Sequence, residues 1–307
     1  MATNKAASTK KATAKKPAAA AKSQRSAKTT VRTVKADDKQ PAVSAASTSV
    51  RSRRVSSLPN NIVNIVFAEL VGTFVLTLVA LLTFKETSAL YIGLAYALLA
   101  MAVGAVSGSH LNPAVSFGLW TMRRLKTALV PFYWGAQFLG AMLAVIVINW
   151  VTNGALKLNF EHIWSLDWPI FGAELVAAAV FMFGFAAVTS RRELSAGSRA
   201  VGVGLSLLVG VLAGGSLLAS IQATFDTSKW ASVDDIQHGY RVKTVTVNPA
   251  VALASTEATN SSFTGQRTDT NEKTYSRFTS EIVLGTLIGA AVGGNLYLLV
   301  AGARRND

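Results

Sequence analysis

The sequence predicts an all-α membrane protein: six transmembrane helices and two re-entrant half-helices, arranged as an inverted repeat. Three observations predict it. Apolar stretches long enough to cross a bilayer recur six times. The chain echoes itself at two short motifs. One of those motifs opens, in both copies, a segment too short to span. Composition agrees: half of the 307 residues are hydrophobic and only 15% are charged, against about a quarter charged in a soluble domain.

The formal charge of +14 belongs to the N-terminal arm. Residues 1–58 hold 14 of the 30 Lys and Arg and two acids, Asp37 and Asp38, which is +12 of the total. The arm is built from Ala, Lys, Ser and Thr, with almost no large apolar residue before Val31. Such a segment buries too little surface to offset its ordering entropy, so 1–58 is expected to be a disordered polybasic cytoplasmic tail. No apolar core of about 7–15 residues follows its charges, which excludes a secretory signal. Its expected partner is anionic lipid, with nucleic acid as the alternative. The absence of cysteine excludes a disulfide scaffold, a thiolate metal site and a Cys nucleophile.

The spans are expected at 62–84, 90–106, 128–151, 170–188, 200–221 and 282–303, each near the ~20 residues a bilayer crossing needs. The second is short but uncharged. Glu69 and Glu174 are the acids inside them. All six are rich in Gly and Ala, which let membrane helices approach closely, and none has the polar face of a soluble core helix. Lys and Arg cluster tightly beside the spans at 123–126, 191–199 and 304–305, whereas on the other side they are interleaved with acids. The positive-inside rule therefore places both termini in the cytoplasm of a multi-pass cell-membrane protein.

Phe67-Ala-Glu-Leu-Val-Gly-Thr73 is echoed by Gly172-Ala-Glu-Leu-Val-Ala-Ala178, and Asn-Pro-Ala-Val at 112–115 recurs at 248–251. Each half carries three spans, so the second copy lies upside down relative to the first, an arrangement common in transport proteins. In the segments 112–120 and 248–255, Asn caps the first turn and Pro fits the first helical position, whose N–H has no partner anyway. They read as half-helices entering from opposite faces and meeting at mid-membrane. Two helix N-termini, each carrying about +0.5 charge, would then face one another across a path.

These residues resemble the aquaporin/major intrinsic protein channels. The likeness runs over about 62–303 and rests on Ala68-Glu69, Ser107-Gly-Ser-His-Leu-Asn-Pro-Ala-Val115, Ala136-Gln-Phe-Leu-Gly140, Glu174 and Val247-Asn-Pro-Ala-Val251. It implies a channel domain at 59–305, with repeats at about 62–151 and 169–303, folded as a right-handed six-helix bundle. It also implies one pore per subunit and a homotetramer. The pore motifs would be Asn112, Pro113, Ala114 and Asn248, Pro249, Ala250. The family's spacing puts the outer constriction at Ile92, Val211, Val245 and Val251, where Val251 replaces the usual Arg, so the ring is expected to hold no charge. Glu69, His110, Gln137 and Glu174 are expected to support the half-helices, with Gln137 satisfying backbone groups.

The expected function is passive passage of water and small neutral solutes such as glycerol or urea, with exclusion of ions and protons. Two alternatives stay open: a transporter that uses Glu69 and Glu174 as ion-pathway carboxylates, and a membrane scaffold presenting the basic tail. His110 is either a loop-packing residue or a pH gate. No nucleophile–base set is present, His110, His162 and His238 are scattered along the chain, and no cofactor or metal is expected.

Overall fold

The computed structural model describes residues 58–83, 88–154, 156–265 and 273–302. The expected tail therefore lies outside the described residues up to its last position, as do Arg304 and Arg305. Six helices are long and apolar enough to cross a membrane. They are α1 (Ile62–Leu82), α2 (Ser88–Ser107), α4 (Val130–Val151), α5 (Trp168–Ser190), α6 (Ala196–Gln222) and α10 (Ser280–Gly302). Two short helices, α3 (Pro113–Thr121) and α8 (Pro249–Ala254), start at the repeated Asn-Pro pairs.

Capping chemistry moves two of the expected boundaries. Asp167 accepts a hydrogen bond from the Ile170 N–H and precedes Trp168-Pro169, so α5 opens at Trp168. Ser195 accepts from the Ser198 N–H, which starts α6 at Ala196, four residues before the apolar run. A third shift changes the inventory of buried acids. α10 begins at Ser280 and takes Glu281 into its first turn, fully buried, so Glu69 and Glu174 are not the only carboxylates in the helices.

The two halves pack alike. α1 lies against α2 and α4, α5 lies against α6 and α10, and α2 meets α6 between the halves. Each half-helix reaches across: α3 packs on α10 as well as α4, and α8 packs on α4 and α1. The α5–α10 seam depends on small residues at one face. Gly285, Gly289 and Gly293, one turn apart, sit against the carbonyls of Phe171, Leu175 and Ala179, where a Cβ would collide with backbone. Gly140 does the same at the Leu70 carbonyl between α4 and α1.

Inward faces bury Tyr96, Phe181, Phe185 and Met182, while outward faces keep large apolar side chains in the open: Val63 is 74% exposed, Leu299 75% and Trp150 81%. An apolar outer surface of this extent fits lipid rather than water. The described parts of the segments between the helices, 152–154, 156–167, 223–247, 255–265 and 273–279, converge at one end of the bundle. They carry the short helices α7 (His238–Arg241) and α9 (Asn260–Thr264). Isolated bridges Asn159–Tyr275 and Thr256–Ser276 tie them, with no longer strand among the described residues.

Candidate functional site

The half-helices meet N-terminus to N-terminus through two reciprocal hydrogen bonds. Asn112 Nδ2 donates to the Val247 carbonyl at 2.8 Å, and Asn248 Nδ2 donates to the Leu111 carbonyl at 2.9 Å. Each Asn caps its own helix and not the other: Asn112 Oδ1 accepts from the Ala114 N–H, and Asn248 Oδ1 from the N–H groups of Ala250 and Val251. The residue before each Asn carries the accepting carbonyl and has a left-handed backbone, with φ of 48° at Leu111 and 58° at Val247. For a β-branched valine or a bulky leucine this is a strained conformation. It turns the carbonyl toward the opposite half, and both side chains are fully buried.

A buried carboxylate holds each strained loop. Glu69 accepts the backbone N–H groups of His110 (2.9 Å) and Leu111 (2.7 Å), together with Ser107 Oγ and Gln137 Nε2. Glu174 accepts those of Thr246 (2.6 Å) and Val247 (2.8 Å), together with Thr246 Oγ1. Both side chains are fully buried. Gln137 spends its amide on Glu69 and on Ser116 Oγ, so it serves side chains and not the backbone groups expected from sequence. His110 stacks on Tyr133 at 4.2 Å, and its Nδ1 lies 3.0 Å from Ser116 Oγ.

Ile92, Val211, Val245 and Val251 all line one cavity, which reaches down to Asn112 and Asn248. They form an apolar wall, but the cavity they line is not without charge. Arg277, from the segment before α10, lines the same cavity with Thr244, Thr246 and Ser255. Its guanidinium donates to the Thr244 carbonyl and lies 3.8 Å from Glu174 Oε1. An arginine is therefore present at the mouth although position 251 lacks one. Burial pushes its guanidinium below the ordinary value, opposed by the charges of Glu174, Glu257 and Glu281. The signal in the sequence was indirect: a missing Arg at 251 and a lone Arg just ahead of the last span.

The histidines described as scattered are not all apart. His162 Nδ1 lies 2.9 Å from Glu257 Oε1, and the same oxygen is 3.3 Å from His238 Nδ1. His238 Nε2 lies 2.8 Å from Glu281 Oε1. Burial alone would lower the His238 pKa, but hydrogen bonds and charge from Glu257 and Glu281 outweigh it and raise it to about 9. Burial would likewise raise Glu257, yet the two imidazoles hold it below its ordinary value.

Comparison with known proteins places this architecture. Residues 62–222, just over half of the chain, match the major intrinsic protein family. The chain is 35% identical over 118 residues to Aquaporin NIP2-3 of Zea mays, covering 38% of this chain and 37% of that one. It is 32% identical over 127 residues to Aquaporin-5 of Mus musculus, covering 40% and 48% respectively. The aligned part thus spans half or less of these curated relatives. Among solved structures, the aquaglyceroporin from Plasmodium falciparum aligns over 78% of this chain and 95% of its own, at 21% identity and a TM-score of 0.47. On the family match, the chain belongs to the major intrinsic protein family.

Proposed function

We propose that this chain is a passive transmembrane channel for water and small neutral solutes, and not an enzyme. One observation carries the reading: the reciprocal Asn112–Val247 and Asn248–Leu111 bonds at the floor of the lined cavity. A carboxamide has two N–H donors, and each Asn spends one on the opposite half. The second N–H is left for a solute oxygen, beside two helix N-termini of about +0.5 charge each. A water that turns its oxygen to both amides breaks the hydrogen-bonded wire that a proton needs. The same positive field, with Arg277 above it, repels cations.

At the mouth, Ile92, Val211, Val245 and Val251 offer an apolar wall, and Arg277 with neighbouring Thr and Ser groups offers a polar strip. That pairing suits a small solute with hydroxyl or amide groups on one side and carbon on the other, such as glycerol or urea, beside water. Glu69, His110, Gln137 and Glu174 act as supports of the half-helices. The ion-coupled alternative loses ground because both carboxylates are committed to loop N–H groups. The reading includes a homotetramer with one pore per subunit, set in the cell membrane, as the family resemblance implies. The loop end faces outward, both termini face the cytoplasm, and the basic tail lies on anionic lipid.

The test is reconstitution of the full chain in liposomes, with water, glycerol, urea, sodium and proton fluxes measured side by side. Water flux and at least one of glycerol or urea above empty vesicles, with no added sodium or proton conductance, is expected. Ion conductance comparable to solute flux, or no solute flux in vesicles that contain the protein, overturns the reading.

A further inference from the structure

The cluster at the loop end is built from three separate chain segments. His162 comes from the α4–α5 connection, His238 opens α7, and Glu257 follows α8. One ligand atom from each, the two imidazole nitrogens and a carboxylate oxygen, all lie within 4.8 Å of one another. Tetrahedral zinc with bonds of about 2.0–2.1 Å sets its ligand atoms about 3.3 Å apart. The two Glu257–imidazole separations, 2.9 and 3.3 Å, are close to that spacing before any ion is drawn in.

Hydrogen bonding points the lone pairs the same way. His238 Nε2 gives its proton to Glu281 Oε1 at 2.8 Å, the carboxylate–histidine pairing that orients metal-bound imidazoles. That leaves His238 Nδ1 aimed at Glu257. His238 Nδ1 and Glu257 Oε2 are both buried with no hydrogen-bond partner, and Glu257 is only 4% exposed. The His162 ring is fixed by stacking on Tyr275 at 3.9 Å. Charge permits a cation: Glu257 and Glu281 face Arg277, while Asp234, Arg241 and Lys273 line the adjoining open hollow. That hollow opens onto His162 and His238, leaving room for water as a fourth ligand.

We propose that His162, His238 and Glu257 form a binding site for one divalent transition-metal ion of the zinc class. Two imidazoles and one carboxylate suit such an ion, whereas Ca²⁺ and Mg²⁺ prefer all-oxygen sets. The ion takes the lone pairs of the two imidazole nitrogens and a Glu257 oxygen, and any proton carried by those nitrogens leaves to solvent. It also pins three loops beside Arg277. The inference stands apart from which solute passes the pore.

The chain has three histidines and no cysteine, so background binding is low. Full-length protein without a polyhistidine tag, purified in detergent, is titrated with Zn²⁺ against a chromophoric chelator, with Ca²⁺ and Mg²⁺ as controls. One Zn²⁺ per chain is expected, undisturbed by millimolar-range Ca²⁺ or Mg²⁺. His162→Phe keeps a ring for Tyr275 and removes the ligand nitrogen, so affinity falls at least about tenfold; Glu281→Gln loosens the orienting bond and falls by about 10–100-fold. Unchanged melting of both variants without metal shows that they fold. No Zn²⁺ binding by the parent, or equal binding by a folded His162→Phe variant, overturns the proposal.

Discussion

The two halves hold their half-helices with the same device and surround it differently. In each, a glutamate on the half's first helix accepts two consecutive loop N–H groups, and a left-handed residue presents its carbonyl to the opposite Asn. In the first half the rest of the cradle is neutral: Ser107, Gln137, Ser116 and the stacked His110–Tyr133 pair. In the second half the cradle is ionic, because Arg277 sits beside Glu174. Anchoring a half-helix thus needs the carboxylate, and the cation is an addition. The added cation also reaches the cavity, so the second half carries the mouth's chemistry as well as its own support.

The largest expected difference comes from neutralising the carboxylates. Glu174→Gln removes the carboxylate paired with the buried Arg277, and breaking a buried pair costs about 3–5 kcal/mol. Glu69→Gln weakens charge-assisted hydrogen bonds and strands no cation, for about 1.5–3 kcal/mol. Unfolding midpoints in detergent should fall further for Glu174→Gln. Equal losses would mean that Arg277 adds nothing to the second cradle.

Pairing the changes sharpens that result. The Glu174→Gln/Arg277→Gln double variant should recover part of the loss of Glu174→Gln alone, with a coupling of about 0.5–3 kcal/mol. Additive losses would show that the 3.8 Å pair is not energetically linked. In liposomes, Arg277→Gln removes the cation from the mouth. Glycerol and urea permeability should rise relative to water, by about two- to tenfold for about 0.4–1.4 kcal/mol of lost barrier. A fall in both would show that hydrogen bonds from Arg277 to the solute outweigh its narrowing of the mouth.

The smallest effect tests the first half alone. Trp134 Nε1 donates to the Pro113 carbonyl at 3.1 Å. Trp134→Phe should cost about 0.5–1.5 kcal/mol and leave solute selectivity unchanged. A selectivity change would bring the first half's cradle into the mouth's chemistry.

What could be read from the sequence was local or repeated. The Asn-Pro pairs reveal half-helices because capping chemistry acts within three residues. The spans follow from hydropathy, with ends shifted where Asp167 or Ser195 caps beyond the apolar run. The carboxylate supports were accessible because Glu69 and Glu174 stand at matching places in the two copies. Arg277 was not, since its position depends on residues 276–277 bonding back to Leu253 and Ser255 at the end of α8. Glu281 falls just outside the expected span 282–303, yet α10 begins two residues before that span, at Ser280. His162 and His238 are 76 positions apart, and only the convergence of three loops brings them together.

The junction itself gives the most direct test. Asn112→Asp and Asn248→Asp each keep the capping oxygen, remove the donor to the opposite carbonyl and place negative charge where two positive helix ends meet. Proton and sodium leak are compared with water flux for both variants and the parent in the same liposomes. The account predicts that ion leak rises in both, by at least about tenfold for about 1.4 kcal/mol off the barrier, with water flux retained. Folded, membrane-inserted variants whose ion leak stays at the parental level would contradict it.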